Sequence, residues 1–241
     1  MSTHGGSRRP AQLSCFDPKR GLVAVLALFL VLTLLPAVAP SSAYGQAEPQ
    51  VLGKTIGEWS AAWWQWATPI PTPSNPVLDT SGEFAGINQR GPVWFLAGSF
   101  FNAGPVIRTV TVPAGKSIFF PIVNTGWVKF PLDKDTESSI RESLNGSISP
   151  LGGDLVSTLD GVPTVFDHRT PTVRTQSPVF PFKNVPQDNI LGAPIPAGSI
   201  GFSDGFWVML PPLTPGSHVL KFQKDTVLDV TYNLTVLPHH H

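Results

Sequence analysis

The 241-residue chain sets 16 Lys+Arg against 16 Asp+Glu, and only 13% of its residues are charged, about half the usual share for a soluble domain. Zero net charge excludes the basic field of a nucleic-acid binder and an acidic field that would draw cations. A single Cys excludes a disulfide framework and a Cys-rich zinc site, and the length suffices for a buried core, which excludes wholesale disorder despite 22 Gly and 26 Pro.

The first elements in chain order read as an export address. Arg8, Arg9, Lys19 and Arg20 stand against one acid, Asp17, and precede the apolar run GLVAVLALFLVLTLLPAVA from Gly21 to Ala39. Ser41 and Ala43 then supply small residues before a cleavage point. Basic, apolar and small-residue regions in that order are the anatomy of a secretory signal, so residues 1–43 are expected to be removed after Ala43. The run before Pro36 falls short of the roughly 20 residues that span a bilayer, which disfavours a retained anchor. Cleavage would take away Cys15, leaving a thiol-free, mildly acidic chain that keeps all seven Trp. The expected location is secreted or periplasmic, with no membrane association after cleavage. His239, His240 and His241 resemble part of a purification tag and carry no site.

After a polar lead-in, Thr55-Ile56-Gly57-Glu58 reads as a capping box. Ile56, Trp59, Trp63 and Trp66 come next as one stripe at helical spacing, expected to pack on a sheet, and Trp64 lies off the stripe. Pro69 ends the helix, and TPIPTPSNP makes an extended connector to residue 76. From residue 77 to 236 the pattern is β. Short β-branched and apolar runs fall near 92–98, 106–112, 117–123, 155–159, 163–167, 178–182, 206–210, 217–223 and 226–236. Asp160-Gly161 and Pro215-Gly216 mark turns. One short helix is expected over 135–144, opened by Asp133, Asp135 and Glu137. The alternating acids DKDTE lack the turn Gly and distal Glu of a calcium loop. The expected fold is a mainly β, antiparallel β-sandwich, jelly-roll or immunoglobulin-like, with an N-terminal Trp-rich helix and one internal helix. A Rossmann or α/β-hydrolase sheet is disfavoured because strands and helices do not alternate.

The strings WSAAWWQWA, GPVWFLAG, TVPAGKSIFFPIVNTGW, SDGFWVMLPPLTPGSHVLKF and DVTYNLTV, in this order, resemble a family of secreted bacterial and archaeal β-rich proteins. The resemblance implies one family domain over about residues 51–236, and brings with it no activity or catalytic residue. Ala85 and Thr109 stand where that family's pattern often has Cys, so a disulfide there is not expected in this chain. LTPGSHVLKF is also similar to the turn-and-strand pattern of immunoglobulin-like bacterial modules, which speaks to fold rather than function.

Gly201-Phe202-Ser203-Asp204-Gly205 matches G-x-S-x-G, whose glycines let a strand-to-helix turn expose a nucleophilic Ser. The adjoining run FWVMLPPL reads as a strand, so the required context is missing. A Ser203 nucleophile would need His168 or His218 as base. His168, His218 and Asp167 or Asp204 form a conceivable metal set without motif spacing. No nucleotide motif occurs, and no cofactor is expected. The tryptophans are the other candidates. Trp64, off the helix stripe, and Trp127, expected in a loop after Asn124-Thr125-Gly126, are the expected exposed platforms.

Three functions are expected on these grounds. The first is a secreted sandwich that binds a polysaccharide, an envelope surface or a small apolar ligand through Trp64 and Trp127, without catalysis. The second is an extracellular hydrolase, esterase-like through Ser203 with His168 or His218, or metal-dependent. The third is a structural part of a cell-surface assembly, pairing through an edge strand at 226–236. Oligomeric state is left open.

Overall fold

The computed structural model describes residues 48–100, 104–164, 172–225 and 228–238, and these fall in one compact unit, Ala47–His241. The expected signal segment, Asp167, His168 and the terminal His residues lie outside the described residues. The chain is mainly β, a sandwich of two five-stranded sheets carrying a Trp-rich helix and one internal helix. In chain order the elements are α1 (Ile56–Ala67), β1 (Val93–Phe95), β2 (Val106–Val112), β3 (Ser117–Lys129), α2 (Glu137–Ile148), β4 (Leu155–Leu159) and β5 (Val162–Pro163). β6 (Thr172–Gln176), β7 (Phe180–Pro181), β8 (Ile200–Leu210), β9 (Gly216–Lys224) and β10 (Leu228–Val236) complete the chain.

The first sheet has the order β1-β3-β8-β6, with β7 also pairing β8; the second is β2-β10-β9-β4-β5. Most pairs are antiparallel, as the short alternating runs imply. Two are parallel, β1 with β3 and β2 with β10. Neither parallel pair is joined by a hairpin, since each brings together segments separated by other elements. β10 therefore lies between β2 and β9, with ladders on both sides. It presents no free edge, so the expected pairing of residues 226–236 with another subunit has no unpaired strand to use.

Strand parity explains the layers. On β8, Phe206, Val208 and Leu210 face the second sheet and join Phe120, Phe222 and Tyr232 in the sandwich core. Trp207 and Met209, on the opposite face, join the aromatic cluster under α1. The internal helix begins at Thr136, whose hydroxyl accepts from Ser139 N at 3.1 Å, and runs through Asn145-Gly146 to Ile148, four residues beyond the expected end. Its buried face, Ile140 and Leu144, covers Phe202.

A buried polar knot ties the sandwich to the loop before β1 and the segment after it. Arg108, 1% exposed, donates from Nη1 to Ala97 O and Gly98 O, both at 2.8 Å, and from Nε to Asp79 O at 2.7 Å. The Tyr232 hydroxyl accepts from Arg108 Nη1 at 2.7 Å and from Ala97 N at 3.1 Å, and donates to Ala97 O at 2.8 Å. Burial pushes this phenol above its ordinary pKa, which keeps its proton available for that donation. Tyr232→Phe strands these partners in the core. The variant is expected to unfold at lower urea, with stability reduced by about 1–3 kcal/mol; an unchanged urea midpoint would show that the knot is not needed.

Candidate functional site

The capping box forms as expected. Glu58 N donates to Thr55 Oγ1 at 3.1 Å, and Thr55 N donates to Glu58 Oε2 at 2.7 Å. The helix ends at Ala67 with Thr68 as its cap. The connector then turns back instead of running extended. Asn75, 1% exposed, donates to the carbonyls of Ala67 and Ile70, both at 2.8 Å, closing a short 3-10 turn over Thr72–Ser74. An amide side chain has thus taken up helix-end acceptors that would otherwise need water.

The helix stripe is buried, and so is Trp64, at 7% exposed. The expectation that Trp64 is an exposed platform is corrected. The apolar arc of α1 is wider than the four-residue stripe, because helix and sheet approach closely enough to cover a further position. The close approach rests on small residues. A Cβ on Gly57 would lie 2.9 Å from Gln176 O, and one on Gly126 2.6 Å from Trp64 Cζ2. The indole of Trp64 therefore lies against the bare backbone of β3 at Gly126.

Ser203 belongs to the same contact. It sits inside β8, fully buried, and no strand-to-helix elbow forms. Its Oγ is 3.3 Å from Ser60 Oγ, and Ser60 Oγ donates to Gly57 O at 2.7 Å. Since that bond uses the only proton of Ser60, the Ser203 hydroxyl is the donor between the two. The glycines of the motif serve packing: a Cβ at Gly201 would lie 2.2 Å from the Phe180 ring. Asp204, 1% exposed, points to the other face, where Arg174 grips it from Nη2 at 2.9 Å and Nε at 3.3 Å. Gln176 Nε2 adds a third donor at 3.1 Å.

His218 stands in the second sheet, on β9, whereas Ser203 is in the first. Its Nδ1 is 2.7 Å from Asp160 Oδ2 and its Nε2 is 2.9 Å from Thr214 O. Both ring nitrogens thus face acceptors, an arrangement that suits the imidazolium. The Asp160 carboxylate, and to a lesser degree the Thr214 carbonyl, raise the His218 pKa above its ordinary value against an opposing cost of burial. The same pair holds Asp160 below the ordinary carboxylate range. The ring pins the Asp160-Gly161 turn, where Asp160 has φ +52° and also accepts from Val219 N at 2.8 Å. Among the described residues, no three His, Cys, Asp or Glu side chains stand together as a metal set. The expected role of His168 lies outside the described residues.

What the structure does bring together is the tryptophan pair. Trp127, 39% exposed, is on β3 rather than in a loop, and it borders the same groove as Trp64. The groove encloses about 310 Å³ and is completed by Gly126, Val128, Phe130, Phe180, Phe182, Leu191, Ala193 and Phe202. Among the described residues, every other side chain along it is a hydrocarbon or phenyl group, so the only polar side-chain atoms they offer are indole nitrogens. Phe180 and Phe182 meet edge-on at 5.3 Å and 68°, forming the wall opposite β3. A second depression, about 500 Å³, continues around Phe182 toward Gln65 and Lys183. A signal for this groove exists in the sequence: Gly126 interrupts a strand-like run, and a lone strand Gly marks close approach of another group.

No family model, no curated protein and no solved structure matches the chain.

The His218–Asp160 pair has a defined pH signature. A raised His pKa adds stability that is complete below about pH 6.5, the ordinary His value, and is lost as pH rises through the folded value. The depressed Asp160 pKa adds stability that is lost as pH falls below the ordinary carboxylate range. Chemical denaturation should therefore show stability falling in the parent as pH rises above about 6.5, the ordinary His value. That fall should be absent in His218→Gln; an identical slope in both would remove His218 as the cause.

Proposed function

We propose that this is an exported β-sandwich protein that binds a small apolar ligand in the groove between α1, the far half of β3 and the β7 loop, without catalysis. The observation that carries the reading is the lining. A concave, nearly all-hydrocarbon wall with few polar atoms is the ordinary make-up of a small-molecule site. Carbohydrate recognition needs an array of hydrogen-bonding side chains around the aromatic platform, and this groove has none among its described lining residues. The choice among the expected ligands therefore falls on the apolar one.

Export is supported by the basic and apolar segments before Ala43. Among the described residues, no helix is long and apolar enough to cross a membrane. N-terminal sequencing of protein recovered outside the cytoplasm should begin at Tyr44; an intact Met1 would refute cleavage. Against a hydrolase that uses Ser203 stands its full burial and its engagement with Ser60.

The binding reading is tested by fluorescence titration with N-phenyl-1-naphthylamine, a neutral naphthyl probe. Saturable one-to-one binding is expected. Trp127→Ala should weaken it by a few-fold to about ten-fold, the range of one aromatic contact. Ala193→Trp, at an exposed rim position, should fill the groove and abolish binding while the fold remains. Absence of saturable binding, or full binding by Ala193→Trp, would overturn the reading. Labelling of Ser203 in the folded protein by a fluorophosphonate would overturn it in favour of the hydrolase.

A further inference from the structure

The turn that follows β3 holds an apolar side chain out in water. Pro131, at its second position, presets the backbone angle such a turn needs. Asp133 N donates to Phe130 O at 3.1 Å, and Phe130 N donates to Asp133 Oδ2 at 2.9 Å. Leu132 is the third residue of this doubly closed turn. It is 93% exposed, the highest value of any large hydrophobic residue among those described. One exposed Leu is ordinary on a protein surface, but Leu132 has company.

Phe130, two residues before it, is a wall of the apolar groove, and so are Trp127 and Leu191. Leu191 is 41% exposed, close to the value for Trp127. The end of β3 with its turn, and the loop at Leu191, thus carry exposed apolar side chains at one groove. Trp127 is also the one tryptophan of seven that reaches water, the other six being buried. Over residues 127–135, Lys129 and Lys134 stand against Asp133 and Asp135, and residues 190–193 add no charge. The rim is therefore apolar and has no net charge. A partner met here is met through hydrocarbon rather than through an ionic field.

We propose that this rim docks on the surface of a zwitterionic lipid bilayer, with Leu132, Trp127 and Leu191 entering the headgroup layer. Leu132 stands out from a tight turn, a shape that a fluid surface accepts anywhere and a rigid protein surface accepts only at a matching pocket. The Trp ring, apolar with one polar edge, suits the boundary between water and lipid. A rim without net charge suits neutral headgroups, whereas anionic lipid is held by clustered basic residues. The role of the docking rests on the groove reading above. A ligand with a hydrocarbon body concentrates in lipid, and a groove whose rim meets lipid takes it up without a passage through water. This departs from the expectation that the cleaved chain has no membrane association. Residues 44–241 hold no long apolar run, and the rim exists only because the loop at Leu191 meets the end of β3.

The test is flotation with phosphatidylcholine vesicles, together with quenching of Trp fluorescence by vesicles of brominated phosphatidylcholine. The chain from Tyr44 onward is used, which contains the whole compact unit Ala47–His241, so that the apolar run at 21–39 contributes nothing. The parent should float with the vesicles and be quenched. Because the other six tryptophans are buried, the quenching reports Trp127, and Trp127→Phe should abolish it while flotation persists. Leu132→Ser should weaken vesicle binding by about five-fold or more. Leu132 is not among the groove residues, so this variant should bind N-phenyl-1-naphthylamine in vesicle-free solution as the parent does. Absence of both flotation and quenching, or flotation of folded Leu132→Ser equal to the parent's, would overturn the proposal. Flotation only with anionic vesicles would overturn it in favour of a charge-led contact. A dimer seen by light scattering that Leu132→Ser dissolves, without vesicle binding, would overturn it in favour of a second copy on the rim. Vesicle binding by a parent that does not bind the naphthyl probe would sink the groove reading and leave the docking surface standing.

Discussion

The contact on which the rest of the molecule depends is the seating of α1 on the outer face of β8 and β3. A helix carrying four tryptophans can bury them only if the sheet below offers room. Here the room comes from absent side chains. Gly126 lies under Trp64, where an added Cβ would meet the indole closer than 3 Å. The helix contributes its own small positions, Gly57 and Ser60, and Ser60 meets Ser203. Dispersion contacts fall off steeply with a gap of even half an ångström, so this row of small residues converts tryptophan area into packing. Trp207 and Phe119, stacked at 5.2 Å and 2°, continue the layer toward β1.

That seating also creates the groove. Among the described residues, the same approach that buries Trp64 leaves its N–H without a partner, whereas Trp59, Trp63 and Trp66 each find a backbone carbonyl. The reason is positional. Those three project toward the lead-in, the segment after β1 and the loop at Ile87, all of which offer a carbonyl within reach. Trp64 rests on the middle of β3, against Gly126. The groove borders this one ring, so the packing of α1 and the wall of the groove draw on the same side chain.

Much of the architecture was legible because it is local. The capping box at Thr55, the Trp stripe, the Asp160-Gly161 turn and the alternation of β10 are set by residues within a few positions of each other, and all of them form. Errors appear where a distant segment decides. β3 and β8 run beyond the apolar strings that announced them, across Asn124-Thr125-Gly126 and Gly201–Gly205. These glycine-rich stretches look like loops alone, and they become strands because each is the pairing partner of the other. Thr172–Gln176 had no apolar alternation to mark it, and it is a strand through its ladder with β8. The connector after Pro69 looked extended, yet Asn75 folds it back onto the helix end.

By itself the sequence determined the mainly β class, the Trp-rich helix with its start and stop, and the light charge of the chain. Spacing, capping and charge are properties of neighbouring residues, so they survive without knowledge of the fold. Only the tertiary structure decided which motif residues are structural and which are available. G-x-S-x-G is a packing surface because β8 passes under α1. His218 is a turn clamp because Asp160 comes to it from another segment. Trp64 and Trp127, separated by a helix end, a long connector and the strands β1 and β2, border one groove because β3 lies alongside α1. Burial and convergence depend on contacts between segments far apart in the chain, and no local pattern encodes those.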